Sequence, residues 1–524
     1  MVLLRFAPSP TGPLHLGGLR MALYNHLYAR KHGGKWILRI EVTDATRFVP
    51  GSVEGIRQAL DWAGLEYDYG PGKDSRYAPY YQSERRDLYR SYANKLVETR
   101  QAYRCFCSQD KLASIRERLA RLGSNNTYDK TCLHLTEEEV ARKVKAGEKF
   151  TIRLDDSTHP TRPPTHDLVF GHVKDAHSSL ATDPILLKSD LHPTYHLASV
   201  VDDHEMGITH VLRGEEWLPS LTLHLDLYAH LGLKPPEFAH IPILLNPDGT
   251  KMSKRNGDVQ VVDYIRRGWE PVALLNWLAL AGWGARHEPS QPPPTTPKEE
   301  PQPRVSGSHN TPSPKLIQEA PDSTRVMTFQ ELMKEFDLDA VTQRSSSLDP
   351  GKLEYINKHH LMRQWESAEG LRELAERVHG LVKGRFPDSQ YTTVENVMHA
   401  IRILERRLVT IKDVPDLAPY LFEEPDLSTD EAKKMFKRVE RDSEQILESA
   451  STIVRSLVDT GKWEDTSVVE LVRMFHEERD RLGMKMYLVA LRWALTGMKD
   501  GPAVGDIMKV IGPERTLRRL QRQA

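Results

Sequence analysis

The sequence predicts an α/β protein in which a Rossmann-like, doubly wound parallel sheet is followed by an all-helical carboxyl-terminal half. Apolar strands alternate with amphipathic helices over residues 1–104, the pattern of a parallel sheet with helices on both faces. That pattern returns over residues 186–255 after a mixed segment, residues 105–185, which is therefore predicted to be an insertion. Beyond residue 360 only helical periodicity is visible.

The first elements follow from local sequence. Strands are predicted at 2–7 and 36–42, and helices at 18–32, 52–64 and 84–100. Pro8, Pro10, Gly12 and Pro13 exclude both helix and sheet after the first strand. The first strand therefore leads through a tight loop into the amino terminus of a helix.

The second half is predicted from helical stripes of apolar residues. Residues 256–285 are predicted to be helical, and the proline-rich stretch 286–326 is predicted to be disordered because it lacks apolar residues to bury. Further helices are predicted at 394–411, 430–457, 466–481, 484–497 and 503–522. The predicted domains are a sheet domain of 1–104 and 186–255, the insertion 105–185, a helical region 256–360 that includes the proline-rich stretch, and a helical domain 361–524.

Composition limits the classes of function. The 524 residues are 28% charged and 39% hydrophobic with a formal net charge of −1, as in ordinary globular proteins. Bulk charge therefore does not indicate a nucleic-acid partner, and any basic contact surface must be local. No apolar run reaches the length of a membrane span, so no membrane partner is expected. Three cysteines favour a reducing compartment over a disulfide framework.

A first motif, Arg5–Gly18, contains His15 and Gly17 where the first strand leads into the first helix. Free N–H groups and the dipole at a helix amino terminus attract anions. Glycine lets a nucleotide approach the backbone, and a histidine can donate hydrogen bonds to phosphate. The motif predicts a nucleotide site; the alternative is a glycine- and proline-rich loop with a capping histidine.

A second motif, Lys251-Met252-Ser253-Lys254-Arg255, follows the turn residues Pro247-Asp248-Gly249 and is therefore predicted to lie on a loop. Its lysines could neutralise the charge that builds on a leaving pyrophosphate. A solvated basic loop is the alternative. Both motifs are expected at the carboxyl edge of one sheet, so the sequence predicts one site that holds ATP from two sides.

Both motifs resemble the two that define class I aminoacyl-tRNA synthetases. Three further segments, Arg39–Arg47, Tyr195–His204 and Val211–Leu218, are similar to segments of glutamyl-tRNA synthetases in particular. The likeness is dense over residues 2–285 and looser beyond. Ser199 stands where bacterial members usually have asparagine.

The resemblance implies that ATP activates L-glutamate as glutamyl-adenylate and that the glutamyl group then moves to the 3′-terminal ribose of tRNA(Glu). It implies an insertion that binds the tRNA acceptor end, a helical anticodon-binding half, and tRNA bound before activation. Mg²⁺ is expected with ATP from general nucleotide chemistry.

The resemblance also assigns roles to matching residues. ATP contacts are implied at His15, Gly17, Glu216, Lys251, Met252, Ser253, Lys254 and Arg255, of which His15, Lys251 and Lys254 are the catalytic set. Arginine offers a bidentate fork to the glutamate side chain, and an acidic residue suits its ammonium. The glutamate pocket is implied at Arg5, Ala7, Ser9, Glu41, Tyr195, Ser199 and Arg213, and a tRNA contact at Arg47.

A zinc site is predicted in the insertion. Cys105, Cys107, Cys132 and His134 are the four ligand types that tetrahedral zinc prefers, and they include every cysteine of the chain. Some bacterial glutamyl-tRNA synthetases carry a structural zinc at this spacing. The alternative is a set of buried thiols retained after loss of the metal.

Other readings remain open. The chain could also charge tRNA(Gln), as organellar and many bacterial members do. A truncated paralogue that glutamylates a tRNA base would lack the helical half, and a catalytically inactive tRNA-binding protein would not need His15, Glu41 or Arg213. No leader is apparent, yet the proline-rich stretch and Gly257-Asp258-Val259 favour the mitochondrial matrix over a bacterial-type cytoplasm. A monomer is the family default.

Overall fold

The computed structural model describes residues 1–41, 49–157, 159–177, 180–250, 252, 259–284, 324–405, 407–477 and 484–522. They form two compact units. The first comprises the described parts of 1–266 together with 271–284 and 324–353, and the second comprises 267–270 and 354–522. Within these ranges, no helix has both the length and the apolar character that crossing a bilayer requires.

The strands of the first unit are short. They are β1 (Leu3–Phe6), β2 (Lys35–Leu38), β3 (Ala102–Cys105), β4 (Thr151–Leu154), β5 (His166–Asp167), β6 (Gly171–His172), β7 (Ile185–Leu187), β8 (His210–Gly214), β9 (Glu237–Ile241), β10 (Leu244–Leu245) and β11 (Ser346–Ser347).

Helices alternate with these strands. They are α1 (Leu16–Lys31), α2 (Ser52–Trp62), α3 (Arg86–Glu98), α4 (Gln109–Arg121), α5 (Glu137–Lys145), α6 (Tyr195–Glu205), α7 (Leu221–Leu231), α8 (Val261–Arg267), α9 (Pro271–Leu280) and α10 (Phe329–Glu335). Short 3₁₀ turns lie at Gln82–Glu84, Glu215–Ser220 and Leu338–Ala340.

The parallel sheet of the first unit is assembled from two separate stretches of sequence. β1 pairs with β2, and β8 pairs with β9, each in parallel register. The amide of Thr209, just before β8, donates to Leu3 O of β1 at 2.9 Å, and the amide of Leu3 donates to Thr209 Oγ1 at 2.9 Å. β1 therefore joins β8 across the insertion, and the predicted Rossmann-like fold is confirmed.

Helix α1 illustrates why these residues form these elements. Leu19, Leu23 and Leu27 recur at helical spacing and are fully buried, so one face packs into the core. Arg30 and Lys31 occupy the last turn, where positive charge complements the helix dipole. The chain leaves the helix through Gly33, whose positive φ of 60° favours glycine.

The insertion has its own antiparallel sheet. Strand β4 pairs with β3 on one side and β7 on the other. A separate two-stranded hairpin, β5–β6, follows β4 in the chain. This hairpin lies along β9, because the amide of Leu168 donates to Phe238 O at 2.7 Å.

The second unit is built from helices among its described residues. They are α11 (Pro350–Trp365, most of which belongs here), α12 (Ala368–Arg385), α13 (Val394–Leu404), α14 (Asp413–Leu417), α15 (Asp430–Val439), α16 (Ser443–Asp459), α17 (Val468–Glu477), α18 (Met484–Thr496) and α19 (Val504–Leu520), with a 3₁₀ turn at Pro419–Leu421. Their apolar faces share one core that includes Phe422, Phe475 and Tyr487.

Four predicted helical segments differ from the structure. The helix expected at 503–522 is α19, which is kinked at Gly512, where φ is 80° and the next residue is Pro513. The segment 430–457 was expected to form one helix and forms two, α15 and α16. Polar residues at 440–442, followed by Ser443, favour the start of a new helix over continuation of the first. The segment 256–285 is interrupted at Gly268, which has φ of 76°, before Pro271 begins α9. Helix α13 ends at Leu404 rather than at 411. Most of the predicted disordered stretch 286–326 lies outside the described residues.

A buried carboxylate links α3 to α6. Asp202 is fully buried and accepts hydrogen bonds from Arg85 Nε at 2.7 Å, Gln82 Nε2 at 2.9 Å and Tyr89 OH at 2.9 Å. Charged groups are stable in an interior only when they are paired and hydrogen bonded. Asp202 is thus the partner that allows Arg85 to be buried.

The Asp202→Ala substitution tests this link. It leaves the Arg85 guanidinium buried without its carboxylate, so we expect the free energy of unfolding of the first unit to fall by about 3–5 kcal/mol. Urea unfolding followed by tryptophan fluorescence measures the change. The control is Asp87→Ala, which removes an exposed ion pair to Arg90 and should shift the transition little. Equal shifts for the two variants would contradict the assignment.

Candidate active site

A cavity of about 770 Å³ opens at the carboxyl ends of β1, β8 and β9. Ligands of open α/β sheets bind at this edge. The lining includes ten of the predicted site residues: Arg5, Ala7, Ser9, His15, Gly17, Glu41, Tyr195, Arg213, Glu216 and Met252.

His15 begins α1 and shapes one wall of the cavity. Its Nδ1 accepts a hydrogen bond from the amide of Gly18 at 3.0 Å, so the neutral ring carries its proton on Nε2. A Cβ on Gly17 would lie 3.2 Å from this imidazole, closer than side chains normally approach. Glycine at this position therefore leaves room for the ring beside the helix amino terminus.

The chain beyond the second motif, at Val259 and Val261, lies against the same wall. Leu16 N donates to Val259 O at 2.9 Å, and Val261 N donates to Leu14 O at 2.9 Å. Met252 lines the cavity. Lys251, Ser253, Lys254 and Arg255, and likewise Arg47, lie outside the described residues.

Arg213, at the end of β8, is 5% exposed and has only neutral partners. Its Nε donates to His240 Nε2 at 2.9 Å, and its Nη1 donates to His224 Nδ1 at 3.1 Å and to Tyr195 OH at 3.2 Å. Its Nη2 has a longer contact, 3.4 Å to Trp217 O. No carboxylate in the described part of the chain lies within 4.0 Å of this guanidinium, so its charge faces the cavity uncompensated.

Two other arginines of this region, Arg5 and Arg39, have counter-charges, whereas Arg20, which also lines the cavity, donates to the neutral groups Pro242 O at 2.7 Å and Tyr24 OH at 3.3 Å. Arg5 Nε contacts Asp203 at 3.0 Å. Arg39 contacts Asp203 at 2.7 Å and Glu41 at 3.0 Å. Burial raises the pKa of the Glu41 carboxyl, and the charges of Arg39 and Arg5 oppose that shift. Two guanidinium groups and two carboxylates thus form a nearly neutral cluster beside Arg213.

The histidines around Arg213 are held neutral. Burial and the Arg213 charge lower the pKa of His196 to about 4 and that of His224 well below its usual value. Burial also lowers the pKa of His240. Because His224 Nδ1 accepts from Arg213, its Nε2 carries the proton and donates to His196 Nδ1 at 3.1 Å.

The predicted zinc ligands converge in part. Cys105, Cys107 and Cys132 have Sγ atoms within 4.8 Å of one another, and Cys107 Sγ lies 3.5 Å from Cys132 Sγ. The hydroxyl of Tyr128 contacts Cys105 Sγ at 3.4 Å. His134 is exposed and is not part of this group.

Two predicted positions differ from expectation. Ser199 was expected in the pocket wall, but it is 1% exposed, does not line the cavity, and its Oγ has no hydrogen-bond partner among the described residues. Tyr195, one turn earlier on the same helix, reaches the cavity with its longer side chain. His134, expected beside the thiols, faces solvent because the chain turns outward after the buried Cys132.

Sequence reasoning missed the partners of Arg213. His224 and His240 lie in apolar stretches and resemble ordinary core histidines, and Trp217 was part of a motif without an assigned role. The one available signal was a histidine inside an apolar stretch, His240 between Phe238-Ala239 and Ile241. Only the fold brings α7 and β9 to the end of β8.

Comparison with known proteins identifies the class and then the family. The family model for the catalytic domain of class I tRNA synthetases (E and Q) matches residues 1–291, and a model for an anticodon binding domain matches residues 368–524. The fold and the site are therefore those of a class I aminoacyl-tRNA synthetase with a helical anticodon-binding domain.

Individual relatives are more specific. A glutamate–tRNA ligase of Chloroherpeton thalassium is 35% identical over 99% of this chain and 96% of its own length. One of Alkaliphilus metalliredigens is 34% identical over 99% and 98%. The crystal structure of a glutamate tRNA ligase from Elizabethkingia meningosepticum in complex with its amino acid has a TM-score of 0.80 and 31% identity, covering 99% of this chain and 98% of that one. The chain belongs to the glutamate–tRNA ligase family.

The neutral histidines predict how stability depends on pH. The pKa of His196 is about 4 when folded against an ordinary 6.5, so the unfolded chain binds a proton more readily between these values. The contribution of neutral His196 to the free energy of unfolding is therefore fully present above pH 6.5 and is lost as the pH falls toward 4.

The free energy of unfolding of the parent protein should fall between pH 7 and pH 5. We expect the fall to be about 2 kcal/mol smaller in His196→Gln, as measured by urea unfolding at both pH values. The control is His172→Gln, at an exposed position on β6, which should lose as much stability as the parent protein. If His196→Gln also lost as much as the parent, the assignment of a neutral His196 would be wrong.

Proposed function

We propose that this chain attaches L-glutamate to tRNA(Glu) through a glutamyl-adenylate. The observation that carries the proposal is Arg213, a buried guanidinium without a counter-charge that faces the same cavity as the amino terminus of α1. A side-chain carboxylate of the substrate supplies the missing charge. Glu41, which also lines the cavity, is the anion that the substrate ammonium needs.

The reaction follows from this placement. An oxygen of the glutamate α-carboxylate attacks the α-phosphorus of ATP, and the bond from that phosphorus to the bridging oxygen breaks to release pyrophosphate. A hydroxyl of the tRNA 3′-terminal ribose then attacks the acyl carbon, and AMP leaves. Positioning and charge neutralisation supply most of the rate enhancement, with little acid–base chemistry.

Each part of the site has a role in this scheme. His15 and the α1 amino terminus hold the nucleotide, with Gly17 and Glu216 beside it. Lys251 and Lys254, with Met252, Ser253 and Arg255, close over the phosphates, where Mg²⁺ enters with ATP. Ala7, Ser9 and Tyr195 line the amino-acid pocket, and Arg5, whose charge Asp203 compensates, adds hydrogen bonds. Arg47 contacts the tRNA.

The finer assignments are part of the same proposal. The tRNA(Gln) alternative predicts that the enzyme also glutamylates that tRNA, so charging assays with both tRNAs and both amino acids separate the two. The relatives reported above are bacterial, which agrees with the cytoplasmic alternative, and a mitochondrial matrix location stays a prediction from the sequence. Monomer is the proposed state, which light scattering tests.

Arg213→Ala tests the function directly. We expect kcat/KM for glutamate to fall about a hundredfold or more, because a charged hydrogen-bond donor to the substrate carboxylate is lost, while KM for ATP changes little. Pyrophosphate exchange in the presence of tRNA(Glu) measures both constants. Arg213→Lys keeps the charge without the fork and should recover only part of the loss.

The matched control is Arg30→Ala, which removes a half-buried arginine paired with Asp68 away from the cavity. Its kinetic constants should match those of the parent. Glutamate kinetics of Arg213→Ala close to those of Arg30→Ala would refute the assigned role and, with it, the proposed recognition of glutamate.

We also propose that Cys105, Cys107 and Cys132 would hold a structural zinc ion, for which the sequence offers His134 as the fourth ligand. The three converging sulfur atoms support the proposal, because thiolate and imidazole donors suit tetrahedral zinc. The hydrogen bond with Cys132 lowers the pKa of the Cys105 thiol, and burial opposes that shift.

Elemental analysis of the purified chain should find about one zinc per molecule, and Cys132→Ser should remove most of it. Ser108→Ala, at a hydroxyl that caps α4 beside the cysteines, is the control and should keep the metal. Zinc far below one equivalent in the parent protein would overturn this proposal.

A further inference from the structure

The hydrogen bond between Arg213 and His240 has a defined direction. A guanidinium can only donate, so His240 Nε2 must accept the bond from Arg213 Nε at 2.9 Å. The ring proton must then sit on Nδ1. That nitrogen lies 2.7 Å from Asp167 Oδ2, which accepts it. Asp167 therefore stabilises the one tautomer of His240 that can receive Arg213.

Asp167 is itself held from all sides. It is fully buried, and its Oδ1 accepts from the amides of Val169 at 3.0 Å and Phe170 at 2.9 Å. Its Oδ2 accepts from the amide of His240 at 3.0 Å as well as from the ring. Four donors surround an acceptor-only group, which is the arrangement that a carboxylate satisfies and an amide does not.

The consequence reaches the cavity. With Nε committed to His240 and Nη1 to His224 and Tyr195, the plane of the Arg213 guanidinium is determined by its neighbours. The direction in which Nη2, whose contact with Trp217 O is a longer 3.4 Å, presents its N–H groups to a carboxylate depends on that plane. A wrong His240 tautomer would place Nε2–H against Arg213 Nε–H, two donors facing each other, and the guanidinium would have to turn.

We propose that Asp167, acting through His240, is a positioning residue that orients Arg213 for the substrate carboxylate. The proposal rests on the role of Arg213 in glutamate binding given above. Asp167 belongs to the β5–β6 hairpin of the insertion, so a segment distant in sequence helps to shape the amino-acid pocket. Neither Asp167 nor His240 lines the cavity, so both act on the substrate indirectly, through Arg213.

The experiment compares variants of both residues in pyrophosphate exchange with L-glutamate, ATP and saturating tRNA(Glu). Asp167→Asn places an amide nitrogen against donors and should raise KM for glutamate about tenfold or more, with KM for ATP changed by less than about twofold. His240→Phe, which removes the acceptor, should do the same. His240→Gln offers an oxygen near the position of Nε2 and should stay close to the parent.

The double variant separates positioning from a general structural role. In the H240Q background the acceptor for Arg213 no longer depends on a tautomer, so adding Asp167→Asn should raise KM for glutamate little further. An equal rise in both backgrounds would overturn the proposal. An unchanged KM for glutamate in a folded Asp167→Asn variant would overturn it too. If Asp167→Asn does not fold, equal KM values for His240→Phe and His240→Gln would be the contradicting result.

Asp226→Asn is the matched control. Asp226 is a buried carboxylate that likewise accepts from a histidine, His177 Nε2 at 2.8 Å, and it also pairs with Arg162 Nε at 2.6 Å; no hydrogen bond in the described residues connects it to Arg213. It should leave KM for glutamate unchanged even where it lowers the unfolding midpoint. The two roles are tested separately: if Arg213→Ala has no effect, the proposed recognition of glutamate is wrong, whereas an effect of Arg213→Ala without one of Asp167→Asn contradicts only the positioning role of Asp167.

Discussion

The structure around the cavity depends on burying one guanidinium without a carboxylate beside it. Removing a charge from water is costly unless hydrogen bonds replace the lost hydration. Arg213 is stabilised instead by two imidazoles, a phenol and a backbone carbonyl, all neutral acceptors. His224 and His240 can accept these hydrogen bonds only while they stay unprotonated. The burial and the positive charge of Arg213 both keep the pKa values of these histidines low.

The neighbouring charges make the effect selective. Arg5 and Arg39 are each paired with carboxylates, so their combined field at the cavity is weak. Two charges 4 Å apart interact by about 4 kcal/mol at an effective dielectric constant of 20, which is large beside the difference between a good and a poor substrate. A carboxylate that enters the pocket beside Arg213 therefore meets a positive charge that no neighbouring carboxylate compensates. An amide of the same shape would gain only hydrogen bonds.

Much of this could be predicted from the sequence, for identifiable reasons. The loop and helix around His15 are local, and Arg213, Glu41 and Tyr195 stand in segments that resemble a known family, so their convergence was expected and is observed. His224, His240 and Asp167 could not be predicted in the same way. Their roles depend on the docking of α7, β9 and the β5–β6 hairpin against β8, which is a property of tertiary structure.

The errors have physical causes as well. Ser199 shares a helix face with Tyr195, but its side chain is too short to reach the cavity from there. A single helix was expected at 430–457 because the amphipathic spacing continues through residues 440–442. The backbone is not helical at these three polar residues, so the structure has two helices, α15 and α16. Periodicity records which faces are buried and is less sensitive to where a helix stops.

The position of Asp167 in the insertion has a structural consequence. The insertion is not an interchangeable module in this fold, because its hairpin carries the carboxylate that holds His240 against Arg213. Exchanging the insertion for that of another synthetase would therefore also replace the support of a guanidinium that lines the cavity.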